Sequence, residues 1–224
     1  MTQPIFIEST DSDNSETFIK FGFGLAGINF VVHFGFLSQL YIANMFLYGF
    51  AIAMLLLGYL KRSEPRHRLK LADDGLTFYH RANTVFVPWE NIQRVGIPAQ
   101  DRIDGGKEYD FIGIKVKDPE LFYDTFPLRL ASKLLIEQRP LWLALAGKGC
   151  ATGQCVPEDF IDSVECKLGA NRIYRGLIAM FVHRSEKLNE LLGFHFYINS
   201  NGISGTPANA LKLIQDTKNE NMNR

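Results

Sequence analysis

Three cysteines, Cys150, Cys155 and Cys166, have the side chains with the widest chemical range, since thiols can ligate zinc, close a disulfide or act as nucleophiles. Their spacing argues against zinc. Structural zinc sites use tighter Cys pairs and four ligands, and the nearest His to the group, His183, lies in a separate helical segment. A regulatory disulfide between Cys150 and Cys155 in "GKGCATGQC" remains open, as does a thiol-dependent redox sensor or enzyme using Cys150, Cys155 and Cys166. Ordinary reduced thiols are the simpler reading in a cytoplasmic setting. Other motifs weigh against catalysis. "GFGLAG", Gly22 to Gly27, matches a dinucleotide fingerprint but lacks the strand before it and the acid about 20 residues on. "GKG" lacks the spacing that cradles phosphate. His183 and Glu186 share a helical face without the further carboxylates and histidines that a metal site draws from other helices. The chain is therefore read as no enzyme, with no catalytic, metal or cofactor-binding residue and no cofactor.

The elements that would position any chemistry begin with an apolar run. Residues 1–20 carry Glu8, Asp11, Asp13 and Glu16 against Lys20, while residues 21–60 contain no Asp, Glu, Lys or Arg. A hydrocarbon layer about 30 Å thick takes roughly 20 helical residues, so this run fits two crossings, Phe18–Leu37 and Tyr41–Leu60, broken at Ser38, Gln39 and Asn44. Small residues four apart, Gly22 with Ala26 and Gly49 with Ala53, suit close packing of the two spans, and Asn29 and His33 are expected to face a neighbouring helix. The basic residues Lys61, Arg62, Arg66, Arg68 and Lys70 follow at once. They favour the cytoplasmic side and, with an even number of crossings, place both termini there. Their alternative role is contact with anionic lipid, worth about 1 kcal/mol each to a protein not already inserted. The rest of the chain is close to neutral, which argues against a nucleic-acid partner.

Past the basic stretch the pattern alternates. Leu69 and Leu71, the turn Asp73-Asp74-Gly75, then Leu76 and Phe78 read as a hairpin, with further strands in "NTVFVPWENIQRVGI" and at Ile112, Ile114 and Val116. Pro88 marks an edge or a bulge. Helices are expected from Pro127 to a stop at Pro140, over residues 172–192 ending at Gly193, and from Thr206-Pro207 to about Thr217, with "FHFYI" as a strand. The domain plan is an acidic flexible tail (1–17), a transmembrane hairpin (18–60), a basic juxtamembrane segment (61–70), an α+β domain (71–217) with an insertion at 141–192, and a disordered tail (218–224).

"LADDGLTFYHRANTVFVPWENIQRVGI" resembles the first strands of bacterial membrane-tethered PH-like domains, carried here by Gly75 after the acidic turn and by the box Trp89, Glu90 and Ile92. Over nearly its full length the chain is similar to a gammaproteobacterial family of two-span inner-membrane proteins of unknown function. The resemblance implies an α+β fold: a two-helix transmembrane hairpin, then a PH-like antiparallel β domain with a helical insertion and a C-terminal helix. It brings no catalytic residues. The expected role is a non-catalytic tethered module in the bacterial inner membrane that recruits a protein or peptide, or self-associates, at the cytoplasmic surface; the small-molecule ligand, if any, is left open.

Overall fold

In the computed structural model, residues 4–10, 14–35, 41–99, 109–146, 164–169 and 172–222 are described. The chain divides into two compact units, Ser9–Arg66 and Met1–Glu8 with His67–Arg224.

The first unit holds helices α1 (Ser15–Gly35) and α2 (Tyr41–Arg62). They pack closely because small residues leave no side chain between them. A Cβ on Gly22 would stand 2.8 Å from the Leu55 side chain and 3.2 Å from the Ala51 carbonyl, and one on Gly58 would stand 2.6 Å from Ile19. Gly49 has no neighbour of this kind, so the second packing pair is Gly58 with Ile19 rather than the expected Gly49 and Ala53. The polar residues of the apolar run bond across the pair, as buried polar groups require. Asn29 Nδ2 donates to the Asn44 carbonyl at 3.1 Å, and Asn44 Nδ2 lies 3.1 Å from His33 Nδ1. Among the described residues one helix, Ile42–Arg62, is long and apolar enough to cross a membrane.

The second unit is a mixed α+β structure built on antiparallel sheets. One sheet has the order β1-β2-β3-β4, formed by Ile5–Glu8, His67–Leu71, Gly75–Tyr79 and Thr84–Pro88. A second has the order β5 (Ile92–Gly96), β6 (Phe111–Val116), β9 (Phe196–Asn199). Between β6 and β9 come helices α3 (Pro119–Asp124), α4 (Leu128–Glu137) and α5 (Arg139–Ala146), the hairpin β7 (Glu165–Leu168) and β8 (Arg172–Arg175), and helix α6 (Leu177–Leu192). Helix α7 (Pro207–Met222) follows β9.

Strand alternation decides which face meets which core. Leu69, Leu71, Leu76 and Phe78 from the first sheet meet Ile112, Ile114, Phe196 and Ile198 from the second, and all are at most 1 % exposed. The opposite face of β6 and β9 carries Phe111 and Tyr197, which pack with Leu141, Trp142, Leu145 and Leu188 from α5 and α6. The segment between β6 and β9 thus covers the back of the second sheet, as a sheet with two apolar faces requires.

Four expectations are corrected. Residues 1–17 are not all a flexible tail: Ile5–Glu8 form β1, paired antiparallel with β2 from Ile5↔Leu71 to Glu8↔His67, with Ile7 buried. Residues 172–192 are not one helix, because Gly176 at φ +68° separates strand β8 from α6. Pro140 does not merely end a helix but sits in the first turn of α5, where its missing N–H costs nothing. Residues 218–222 are helical, held where Lys218 Nζ donates to the Gln93 carbonyl at 2.8 Å. Since Ile7 is 7 % exposed at a sheet edge, Ile7→Ala should lower the stability of this unit by roughly 2 kcal/mol. Trp89 and Trp142, the only tryptophans in the chain, are both buried in it, so a urea titration of the full chain in mild detergent, followed by Trp fluorescence, would read that loss.

Candidate functional site

The residues with the greatest capacity for chemistry meet where α3, α6 and the residue before β9 converge. Ser185 lies on the inward stripe of α6 with Phe181, Val182 and Leu188, and a polar residue in such a stripe needs a partner. Its hydroxyl donates to the His195 carbonyl and lies 2.6 Å from the Tyr123 hydroxyl, which is 2.9 Å from Glu186 Oε1. The Tyr123 hydroxyl donates to the Glu186 carboxyl, so the contacts run from Glu186 through Tyr123 and Ser185 to the His195 carbonyl. Burial, with a smaller contribution from Glu190, raises Glu186 above its ordinary carboxylate value. Tyr123 is likewise held well above the ordinary phenol value by burial and by Glu186.

His195 does not serve as a base for Ser185. Its Nδ1 accepts the Val116 N–H at 3.3 Å, so Nε2 carries the proton of the neutral ring, and Nε2 is 3.8 Å from Glu186 Oε1, beyond a hydrogen bond. Burial, aided by Lys115, lowers His195 to about 4. Ser185 is 2 % exposed, and its two contacts tie α6 to α3 through Tyr123 and to the residue before β9 through the His195 carbonyl. The cluster fastens these elements together, with the Glu186 side chain, 27 % exposed, at its outer end.

A second polar group joins β2, β3 and α4. His80 Nδ1 accepts the Ala82 N–H at 3.0 Å, so its Nε2 donates to Glu137 Oε1 at 2.9 Å. Arg68 lies over the Phe78 ring at 5.3 Å. Burial pushes Glu137 upward, but the His80 hydrogen bond and the fields of His80, Arg68 and Lys133 outweigh it and hold the carboxyl below its usual value. A carboxyl lowered on folding contributes stability above its unfolded pKa, near 4.5, and that contribution is lost as pH falls through the folded value. Glu137→Gln should therefore lower stability at neutral pH by about 1–2 kcal/mol and flatten its decline below pH 4.5, as read by urea titration across that range.

The residues singled out in the sequence divide. Gly75 and Trp89 come together at the β2–β3 turn: Trp89 Nε1 donates to the Ala72 carbonyl at 2.8 Å, and a Cβ on Gly75 would meet the Val87 carbonyl at 2.5 Å and the Phe86 ring at 2.8 Å. Ile92 is fully buried where β5 begins. The basic residues divide between the two units, Lys61, Arg62 and Arg66 in the first and Arg68 and Lys70 in the second. Lys61 and Arg62 end α2, with Lys61 Nζ 5.6 Å from the Phe18 ring centroid; Arg66 accepts the Ser9 N–H through its carbonyl; Lys70 is half-buried in β2. Arg68, at 5 % exposure, is a correction: its guanidinium faces protein rather than lipid. Cys150 and Cys155 lie outside the described residues. Cys166 is half-buried in β7, and burial together with Glu186 raises its thiol pKa, which suppresses the reactive thiolate. Among the described residues no group of His, Cys, Asp and Glu could hold a metal, and Glu186 turns toward Tyr123 instead of pairing with His183.

Sequence reasoning did not find the Tyr123, Ser185, Glu186 and His195 cluster, or the His80 and Glu137 pair. Ser185 within an apolar stripe was the available clue to the first; the second joins residues far apart in the chain and left none. No curated protein and no solved structure matches the chain. The family model described as "Protein of unknown function (DUF2982)" matches residues 69–220, from β2 to the last turns of α7, and the chain belongs to that family.

Proposed function

We propose that the chain is a non-catalytic module, anchored in the bacterial inner membrane by a helical hairpin, that recruits a protein or peptide at the cytoplasmic surface. The pairing of β1 with β2 carries this reading. The chain leaves the sheet at Glu8 and re-enters it at His67, so the segment between must return to the side from which it started. If α2 crosses a bilayer, a second crossing is needed, and α1 is the segment to make it, with Phe21, Phe23, Ile28, Phe30 and Val31 exposed for contact with lipid. Lys61, Arg62 and Arg66 favour the cytoplasm for the ends of the pair.

Four strands, then three, then a C-terminal helix is the order of a PH-like domain. On this reading the hairpin occupies the connection between the first and second strands, and the insertion before the seventh, expected at 141–192, extends back to α3. A binding role is supported by the way the buried hydroxyls and His195 are committed to holding the fold. The thiol alternative is weakened by the raised Cys166, and the lipid alternative by the burial of Arg68.

Topology reporters at both ends of the full-length chain test the anchor. Both termini should report the cytoplasm, and charge-neutral substitution of Lys61, Arg62 and Arg66 should produce a mixed orientation. Termini on opposite sides of the membrane would overturn the reading. Purification in mild detergent should also recover a stoichiometric partner or a self-oligomer, and repeated recovery of monomer alone would count against recruitment.

A further inference from the structure

We infer that the cleft between the outer edge of β1 and helix α7 docks an extended segment of a partner protein, paired main chain to main chain with Phe6. The inference rests on the recruiting role proposed above and names the surface that would serve it.

Register assigns the free groups. The Ala72 N–H donates to the Gly75 carbonyl, which makes Lys70 and Thr77 the next hydrogen-bonded pair of β2 and β3. Leu69 and Leu71 therefore turn their main chains to β1 and engage Ile7 and Ile5. Phe6 is left with its N–H and carbonyl pointing away from the sheet, and β1 is the last strand on that side among the described residues. The adjoining Glu8 carbonyl also points outward and already accepts the Ser204 N–H at 2.9 Å, and among the described residues no hydrogen bond carries this pairing on to Phe6. At the other end stands Pro4, which has no N–H to offer. The open edge is thus short, enough for a few residues of a partner and too short to seed sheet growth.

Across from this edge, α7 presents Asn209, Ala210 and Leu213, and together with β1 and Ser204 they line an open cleft of about 260 Å³. Ala210 and Leu213 make an apolar wall, while the exposed Asn209 amide can bond a peptide unit. The Glu8 carboxylate marks one end of the cleft. An occupant that satisfies all of these is an extended chain with a small or medium apolar side chain directed at Leu213 and a basic residue beside Glu8.

The test displays a random peptide library on phage and pans it against the full-length chain in lipid nanodiscs. Enriched peptides should share an apolar residue flanked by a basic one. Phe6→Pro removes the outward N–H and should weaken them by about tenfold, the loss expected for one main-chain hydrogen bond, whereas Phe6→Ala keeps the N–H and should weaken them much less. Asn209→Trp fills the cleft from an exposed helix position and should abolish binding, which keeps the test decisive if Phe6→Pro disturbs the fold, as unchanged Trp89 and Trp142 fluorescence would monitor. The inference is overturned by peptides that bind Phe6→Pro and Asn209→Trp as well as the original chain, by enrichment no greater than on empty nanodiscs, or by a dimer lost in Phe6→Pro, which would give the edge to a second copy. Cytoplasmic termini without peptide binding would remove this docking edge alone, while termini on opposite sides would remove the tethered module itself.

Discussion

Gly113→Val should destabilise the β domain by about 3 kcal/mol, with the urea midpoint shifted accordingly. Gly113 lies in β6, the central strand of its sheet, directly opposite Gly96 of β5. The missing side chains form the seat of the Phe194 ring. A Cβ on Gly113 would stand 2.5 Å from Phe194 Cγ and 2.6 Å from Cδ2, and one on Gly96 2.9 Å from Cζ. The ring has no room to retreat, because the Arg94 guanidinium lies 4.7 Å from its centroid and the Tyr197 ring meets it at 6.2 Å, edge to face. Arg94 is in turn anchored by donation to the Gly193 carbonyl at 3.0 Å. If the clash is the cause, Gly113→Val with Phe194→Ala should be more stable than the sum of the two single losses predicts. Additivity in that cycle, or a neutral Gly113→Val, would show that the ring is not seated on the strand.

Acid should weaken the same unit through His195. Its pKa is about 4 when folded against 6.5 unfolded, so between those values the unfolded chain takes up a proton that the folded chain refuses. Stability therefore falls as pH drops from 6.5 to 4, by about 3 kcal/mol for a shift of this size. The charged and titratable groups facing His195 are Glu186 and Lys115. Lys115 adds to the shift. Glu186, raised on folding, acts in the opposite sense in the window just above its unfolded value near 4.5, where the folded state holds the extra proton. The decline should thus be steepest between about pH 6 and 5. His195→Asn keeps an acceptor for the Val116 N–H and should flatten the profile, as measured by urea midpoints at each pH. A wild-type profile level from pH 6.5 to 5 would mean that the ring is protonated, or open to water, in the folded state.

The parts of the fold that were legible in sequence are those where local pattern and burial agree. Leu69, Leu71, Leu76 and Phe78 alternate because one face of each strand meets the core, and Asp74-Gly75 marks the turn between them. β1 was illegible for a physical reason: four residues among acidic neighbours carry little pattern, and their partner lies beyond both helices, so their strand character comes from pairing. In β8, Ile173 and Tyr174 fit a helical period as well as a strand, and the break comes from the positive φ of Gly176. Of the candidate sites, Gly75, Trp89 and Ile92 could be read from turn chemistry and hydrophobicity. The chain of hydroxyls could not, because Tyr123, Ser185, Glu186 and His195 reach one another from three elements and no spacing in sequence encodes their meeting. Arg68 looked like its basic neighbours, but the bulge opposite Ile7 and Glu8 interrupts the alternation there, and its guanidinium lies over the Phe78 ring.

The pairing of β1 with β2 also sets an order of events during synthesis. The first strand leaves the ribosome before either long helix, yet the strand that completes it is translated only after both. Until then Ile5, Phe6 and Ile7 have no mate in β2 and must wait unpaired. A nascent chain stalled between α2 and β2 should therefore leave its N-terminal residues open to protease, and protection should arrive only once β2 and the strands beyond it have cleared the ribosome.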